Sequence, residues 1–306
     1  MIEVDKTHGL IAAPHTPMDP AGEVRLELVE AQVDLLARNG VAGAFVCGTT
    51  GEGLSLTMAE RRAVAERWVR AAAEGFRVIV HVGHTALPAA RELAAHAQKI
   101  GAFAIGTLPP IFFKPPGVAE LVDFASRVAG AAPELPFYYY HIPAMTGVEL
   151  PMREYLAAAG ETIPNAAGVK FTYEDLADYA ACLALDGGRL DCLFGRDEVL
   201  LSALALGAEG AIGSTYNFAA PLYLRLIEAF RAGDLATARQ LQATSMAMIR
   251  AVHRQGPGVV GFKHVMAMIG LDVGPVRPPL RPLGDERVRA LRAELEEIGF
   301  FEVCST

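Results

Sequence analysis

Lysine is scarce in this chain of 306 residues, occurring only at Lys6, Lys99, Lys114, Lys170 and Lys263, while arginine supplies the rest of the 27 basic side chains. Set against 35 acidic residues this gives a formal charge of -8, and no window gathers the Lys and Arg needed to track a phosphate backbone. Nucleic acid is excluded as a partner; small molecules are expected. Cysteine is sparser still. Cys47, Cys182, Cys192 and Cys304 form no CxxC pair and no regular spacing, so buried reduced thiols and a cytoplasmic setting are expected. No run of about 18 apolar residues suggests a membrane span. The opening MIEVDKTHGL has neither the basic stretch nor the apolar stretch of an export signal. Apolar residues are plentiful, at 52%, which is enough to bury a large core without disulfides or metal.

The length suits one α/β barrel, a fold of about 250 residues, with an appendage. Short β-rich apolar runs alternate with stretches of helical period, the sequence form of a repeated βα unit. The strands are read as GLIAAP (9–14), GAFVCG (43–48), RVIVHVG (77–83), AFAIGTL (102–108), PFYYYHI (136–142), AGVKFTY (167–173), DCLFG (191–195) and GAIGST (210–215). They are almost continuously apolar, as parallel strands buried on both faces should be. Segments 26–38, 58–73 and 87–100 carry charges on one face and Leu, Val or Ala on the other, so they read as helices. Thr57 followed by Glu60 is a capping box that starts the second of these. Eight such units predict a (β/α)8 TIM barrel over 1–233 that carries the active site; a doubly wound open sheet is the second choice. Near Asp234 the rhythm stops. Helical patterns at 235–254, 259–269 and 285–298 predict a C-terminal helical extension, 234–306, with a turn-rich connector from Pro275 to Pro282.

Barrel enzymes draw their reacting groups from the C-terminal ends of the strands. Lys170 lies inside GVKFTY, where a charged ammonium among apolar neighbours is costly and the neutral, nucleophilic amine is favoured. Taken alone it is equally a lysine paired to a carboxylate or snorkelling past the strand end. Strand alternation puts Tyr138 and Tyr140 on one face and Tyr139 on the other. Tyr140 at the barrel mouth is either a proton shuttle or a packing residue with a satisfied hydroxyl. GTTGEG (48–53) sits between a strand and a helix; it is either a cradle for an anion such as a carboxylate or a plain tight turn, and it has neither GxGxxG spacing nor the P-loop lysine. HVGHT (81–85) holds two histidines, but no further ligands cluster with them, so no metal site is expected.

GTTGEG, YYYHIPAMTG, GVKFT and GAIGSTYN, in this order, resemble the N-acetylneuraminate lyase and dihydrodipicolinate synthase family of pyruvate-dependent aldolases. The resemblance runs over nearly the whole chain, through CGTTGEGLSLTMAERR, LFGRDEVLLSALALGAEGAIGSTYN and GPVRPPLRPL. It implies a homotetrameric lyase without metal or organic cofactor. By the same match Lys170 is the Schiff-base lysine and Tyr140 the general acid and base. Thr50 would hold the keto-acid carboxylate, Thr49 would hydrogen-bond toward the tyrosine, and Gly51 would add a backbone donor.

Departures from the family pattern bear on the substrate. Met145 stands where the synthases of the family carry an arginine for a second carboxylate, and IFFKPP places Phe112 and Phe113 where they carry a tyrosine pair. Phenylalanine cannot relay a proton. IPAMTG is instead similar to the IPALTG of the sialic acid lyases, and GRDE with GSTYN is similar to their polyol-binding set. The resemblance thus implies that Thr172, the Gly195 carbonyl, Asp197, Glu198 and Ser214 meet the hydroxyl-rich tail of an open-chain sugar. Asp197 and Glu198 also read as acids at a helix N-terminus, and Ser214 as a helix cap. The expected reaction is cleavage of N-acetylneuraminate to pyruvate and N-acetylmannosamine. A 2-keto-3-deoxy sugar acid is the alternative substrate; dihydrodipicolinate synthesis and a non-catalytic barrel follow behind.

Overall fold

The continuous apolar runs become strands buried along almost their whole length, as the computed structural model of residues 4–306 shows. Residues 1–3, part of the opening segment read for an export signal, lie outside the described residues. The strands are β1 Gly9–Ala12, β2 Gly43–Val46, β3 Arg77–His81, β4 Ala104–Thr107, β5 Phe137–His141, β6 Ala166–Phe171, β7 Asp191–Phe194 and β8 Gly210–Gly213. They pair in parallel and in sequence order, and β8 closes the ring on β1 from Gly9 opposite Gly210 to Ala12 opposite Gly213. Closure leaves no edge strand among the described residues, so the open-sheet alternative is ruled out. Each strand stops short of its apolar run, and the remaining residues, such as Cys47, Leu108, Ile142, Thr172, Gly195 and Ser214, begin the loops at the C-terminal mouth.

Around the barrel lie α1 Val29–Arg38, α2 Met58–Ala71, α3 Leu87–Lys99, α4 Val118–Ala129, a single turn α5 Pro143–Thr146, α6 Met152–Thr162, α7 Leu176–Ala184, α8 Leu200–Ala205 and α9 Tyr216–Arg231. The capping box at α2 is complete: the Glu60 amide donates to Thr57 Oγ1 at 3.2 Å and the Thr57 amide donates to Glu60 Oε2 at 2.7 Å. It pins the start of α2 just past the GTTGEG loop. Three further helices follow, α10 Leu235–Gln255, α11 Gly258–Met268 and α12 Asp285–Glu297. α10 packs along α9 and against the short turn Asp197–Val199 at the mouth. None of the described helices is long and apolar enough to cross a membrane.

Side-chain alternation divides the core in two. Ile11, Phe45, Ile79, Tyr138, Tyr140, Leu193 and Ile212 fill the inside of the barrel, whereas Tyr139 points outward and stacks on Tyr155 of α6 at 4.6 Å. The N-terminal end is plugged by polar pairing. Tyr138 donates its hydroxyl to Asp191 Oδ2 at 2.9 Å, and the same oxygen accepts from the Thr7 amide at 3.0 Å. A cavity of about 310 Å³ lies at that end beside Lys6, Asp191 and Glu209, far from where barrel chemistry is built. All four cysteines are free; Cys47, Cys182 and Cys192 are buried, while Cys304 is only half-buried because it lies in the tail beyond α12.

Candidate active site

Pairing of β5 with β6 sets Tyr140 directly beside Lys170. Lys170 is buried, and its amine nitrogen lies 4.1 Å from the centre of the Tyr140 ring and 4.4 Å from that of Phe45. The chain buries a second lysine, Lys263, and the contrast is informative: Lys263 is ion-paired to Glu52 at 2.8 Å, whereas Lys170 faces aromatic walls. Of the readings open for Lys170, the carboxylate-paired lysine is therefore the one the geometry disfavours. Behind Tyr140 stands His81, edge-on at 6.1 Å between ring centres. Its Nδ1 donates to the Cys47 carbonyl at 3.0 Å, and burial together with the Arg61 guanidinium pushes its imidazole well below the usual range, so it is neutral. His84 accepts a local bond from the Ala86 amide, so the two histidines of HVGHT serve separate local structures.

The GTTGEG loop is a tight reversal bracketed by two non-glycine residues with left-handed backbones, Cys47 (φ 58) and Glu52 (φ 53). It turns the two threonine hydroxyls to different partners. Thr49 Oγ1 lies 3.2 Å from the Tyr140 hydroxyl, and Thr50 Oγ1 lies 2.6 Å from Ser214 Oγ at the end of β8. That contact engages the Ser214 hydroxyl, and the residue preceding α9 is Thr215, so Ser214 is not a helix cap. Gly51 stands apart from the other expected residues. It does not line the central cavity, and its carbonyl accepts from Thr16 Oγ1 at 2.6 Å.

Opposite the threonines, the adjacent acids of GRDE have separate fates. Asp197 turns inward and accepts from the Thr215 amide at 3.0 Å and the Thr215 hydroxyl at 2.6 Å, both on Oδ2. Its Oδ1 is buried without a protein partner. Burial raises the carboxyl from 3.8 to about 6, partly opposed by the two Thr215 hydrogen bonds. Glu198 instead pairs with Arg196 at 2.8 Å, and Arg196 also holds Glu174. Both acids do sit in the first turn of the short helix that leads into α8, but each has its own partner. Two glycines make room for this wall. A Cβ on Gly213 would fall 1.8 Å from Asp197 Oδ1, and one on Gly195 would fall 2.0 Å from Thr172 Oγ1. Thr172 Oγ1, like Asp197 Oδ1, is buried without a partner.

One cavity joins these groups. Its lining includes Thr49, Thr50, Tyr140, Lys170, Thr172, Gly195, Asp197, Glu198 and Ser214. It also includes residues that sequence reasoning missed: Arg196, which stood unassigned inside GRDE, and Ile249, His253, Val259 and Phe262 from α10 and α11. No motif marks the latter four. The arrangement provides an amine in an apolar niche, a phenol beside it, a hydroxyl cradle on one side and unsatisfied acceptors on the other.

A sequence model of the dihydrodipicolinate synthetase family matches residues 6–298. The chain belongs to this family. Within it, the chain is 44% identical over 297 residues to the N-acetylneuraminate lyase of Gallus gallus, covering 96% of each. Among solved structures of the family, the N-acetylneuraminate lyase of Proteus mirabilis superposes with a TM-score of 0.94 at 42% identity, covering 97% of this chain and all of that one, 100%. The N-acetylneuraminate lyase (sialic acid aldolase) of Aliivibrio salmonicida gives 0.94 at 41% identity, covering 97% and 98%.

A stability prediction follows from Asp197. Below pH 3.8 its carboxyl is neutral in both folded and unfolded chains; between 3.8 and about 6 only the unfolded chain ionises it, so this group's contribution is lost as pH rises. Above that window its ionisation in the folded protein costs roughly 3 kcal/mol, at about 1.4 kcal/mol for each tenfold difference in proton affinity between the folded and unfolded chains. Asp197→Asn is expected to raise the thermal midpoint at pH 7 and to flatten its pH dependence between 4 and 6. An unchanged midpoint and profile would contradict the buried, costly carboxylate.

Proposed function

We propose that the protein is a class I aldolase, a lyase that reversibly cleaves N-acetylneuraminate to pyruvate and N-acetylmannosamine. The observation that carries this reading is the pairing of Lys170, facing aromatic walls, with Tyr140 on the next strand. The Lys170 amine attacks the C2 ketone of the open-chain sugar acid, and the Tyr140 hydroxyl gives its proton to the departing carbinolamine oxygen, so that water, a protonated imine and a phenolate result. Tyr140 takes the proton of the C4 hydroxyl as the C3–C4 bond breaks. The bond's electron pair passes to the imine, giving the enamine of pyruvate and the aldehyde of N-acetylmannosamine. Protonation of the enamine at C3 and hydrolysis of the imine then release pyruvate and restore the amine.

Thr49 orients the tyrosine hydroxyl, and Thr50, with Ser214 against it, receives the carboxylate; Gly51, off the cavity, shapes that turn through its bond from Thr16. The polyol tail extends toward Thr172, the Gly195 carbonyl, Asp197 and Glu198. Support for a polyol comes from the unpartnered Asp197 Oδ1 and Thr172 Oγ1, which offer hydrogen bonds in the cavity. Met145 is an uncharged thioether, 66% exposed, and supplies no cation for a second carboxylate. We also propose a cytoplasmic homotetramer, with the barrel, 1–233, and the extension, 234–306, acting as one unit. The exposed Phe112 and Phe113, packed edge to face at 5.0 Å, are surface that a second copy would cover. Light scattering that gave a monomer would overturn the assembly.

Pyruvate release across a panel of substrates tests the assignment. N-acetylneuraminate should give a higher kcat/KM than any 2-keto-3-deoxy sugar acid, and the reverse order would transfer the function to the deoxy acids. Below pH about 6, protonation removes the Asp197 acceptor, so the KM for N-acetylneuraminate should rise as pH falls. Asp197→Asn should have a raised KM that no longer changes in this window.

A further inference from the structure

The turn carrying Thr49 and Thr50 is held from outside the barrel. Lys263, on α11, has 3% of its side chain exposed, and its ammonium lies 2.8 Å from Oε1 of an equally buried Glu52. It also donates to the carbonyl oxygens of Thr16 at 3.0 Å and Pro275 at 2.6 Å. The other Glu52 oxygen accepts from the Arg277 amide at 2.8 Å. Thr16, whose carbonyl receives Lys263, sends its own hydroxyl to the Gly51 carbonyl at 2.6 Å. Glu52 closes the turn in a left-handed conformation that a non-glycine residue keeps only where its surroundings over-determine it. A buried ion pair adds little stability over well-packed apolar residues of the same size, so geometry is the benefit to look for.

We propose that Lys263 is a positioning residue for the keto-acid carboxylate: through Glu52 it fixes the turn whose Thr49 and Thr50 hydroxyls face the cavity. The proposal rests on the reading above that the carboxylate binds at this turn. It makes the C-terminal extension a working part of the pyruvate end of the site.

Two variants test it. Lys263→Met removes the cation, and Lys263→Met combined with Glu52→Asn removes both charges, asparagine being tolerant of the left-handed backbone. Each is checked for folding by circular dichroism. Each is then titrated with pyruvate under borohydride to find the concentration that half-saturates trapping, and assayed for KM and kcat in pyruvate release. In both variants the half-saturating pyruvate and KM should rise at least about ten-fold, and any fall in kcat, transmitted through Thr49 to the Tyr140 hydroxyl, should be smaller than the rise in KM, because most of the binding lost is common to ground and transition states. Either variant, folded and half-saturating at the wild-type concentration, overturns the proposal, as does a fall in kcat at unchanged KM. The double variant covers the case in which the single one, with Glu52 buried and unpaired, does not fold. Pyruvate alone is the probe, so failures elsewhere are separable. A wild-type protein that is never trapped would overturn the imine mechanism, and one that is trapped but leaves N-acetylneuraminate intact would overturn only the sugar assignment.

Discussion

Lys170→Met is expected to lower kcat for pyruvate release by roughly 10⁵-fold or more while raising the thermal midpoint. The first effect follows because no other lysine among the described residues lines the cavity: the other buried lysine, Lys263, is committed to Glu52 and two carbonyl oxygens. Without an imine, cleavage would have to place the C3–C4 electron pair on an unactivated ketone. The second effect follows from burial, because Lys170 sits among Phe45, Tyr140 and the barrel interior, where an aliphatic side chain of similar length packs without an amine to desolvate. Lys170→Arg should be equally inactive, since guanidinium is never the neutral nucleophile. Steady-state rates and a thermal melt check both effects. An active Lys170→Met protein would refute the assignment.

Tyr140→Phe should reduce kcat by about 10²- to 10⁴-fold, the range for loss of a positioned general acid or base. The phenyl ring keeps its edge-on contacts with Phe45 and His81, at 5.4 and 6.1 Å, so folding should be little affected. What is lost is the hydroxyl, together with its 3.2 Å contact to Thr49. Pyruvate should still be trapped on Lys170, more slowly, because the amine remains. Single-turnover kinetics with the sugar acid separate the two steps, and a variant cleaving at the wild-type rate would remove Tyr140 from the proton path.

Much of this was legible in the chain, for identifiable reasons. Parallel barrel strands are buried on both faces, so all eight stand out as short apolar runs, and alternation alone separates Tyr138 and Tyr140 from Tyr139. Lys170 is conspicuous because charge inside such a run is costly. Contacts made by closing the chain on itself are a different matter. Thr50 meets Ser214 across 164 positions, a contact that neither local window signals. Asp197 and Glu198 are neighbours with opposite partners because a short turn points them apart, one under β8 and the other to Arg196. Ile249, His253, Val259 and Phe262 reach the cavity from helices whose amphipathic period shows only that they pack. Lys263 looked like any helical lysine, and only the folded structure shows it beneath the carboxylate turn.

The most direct measurement is borohydride reduction of the protein during turnover of N-acetylneuraminate, followed by peptide mapping by mass spectrometry. The account predicts a single pyruvate-derived secondary amine on Lys170, with free pyruvate and N-acetylmannosamine in solution before reduction. Turnover that leaves Lys170 unmodified, or an adduct on another lysine, would contradict it.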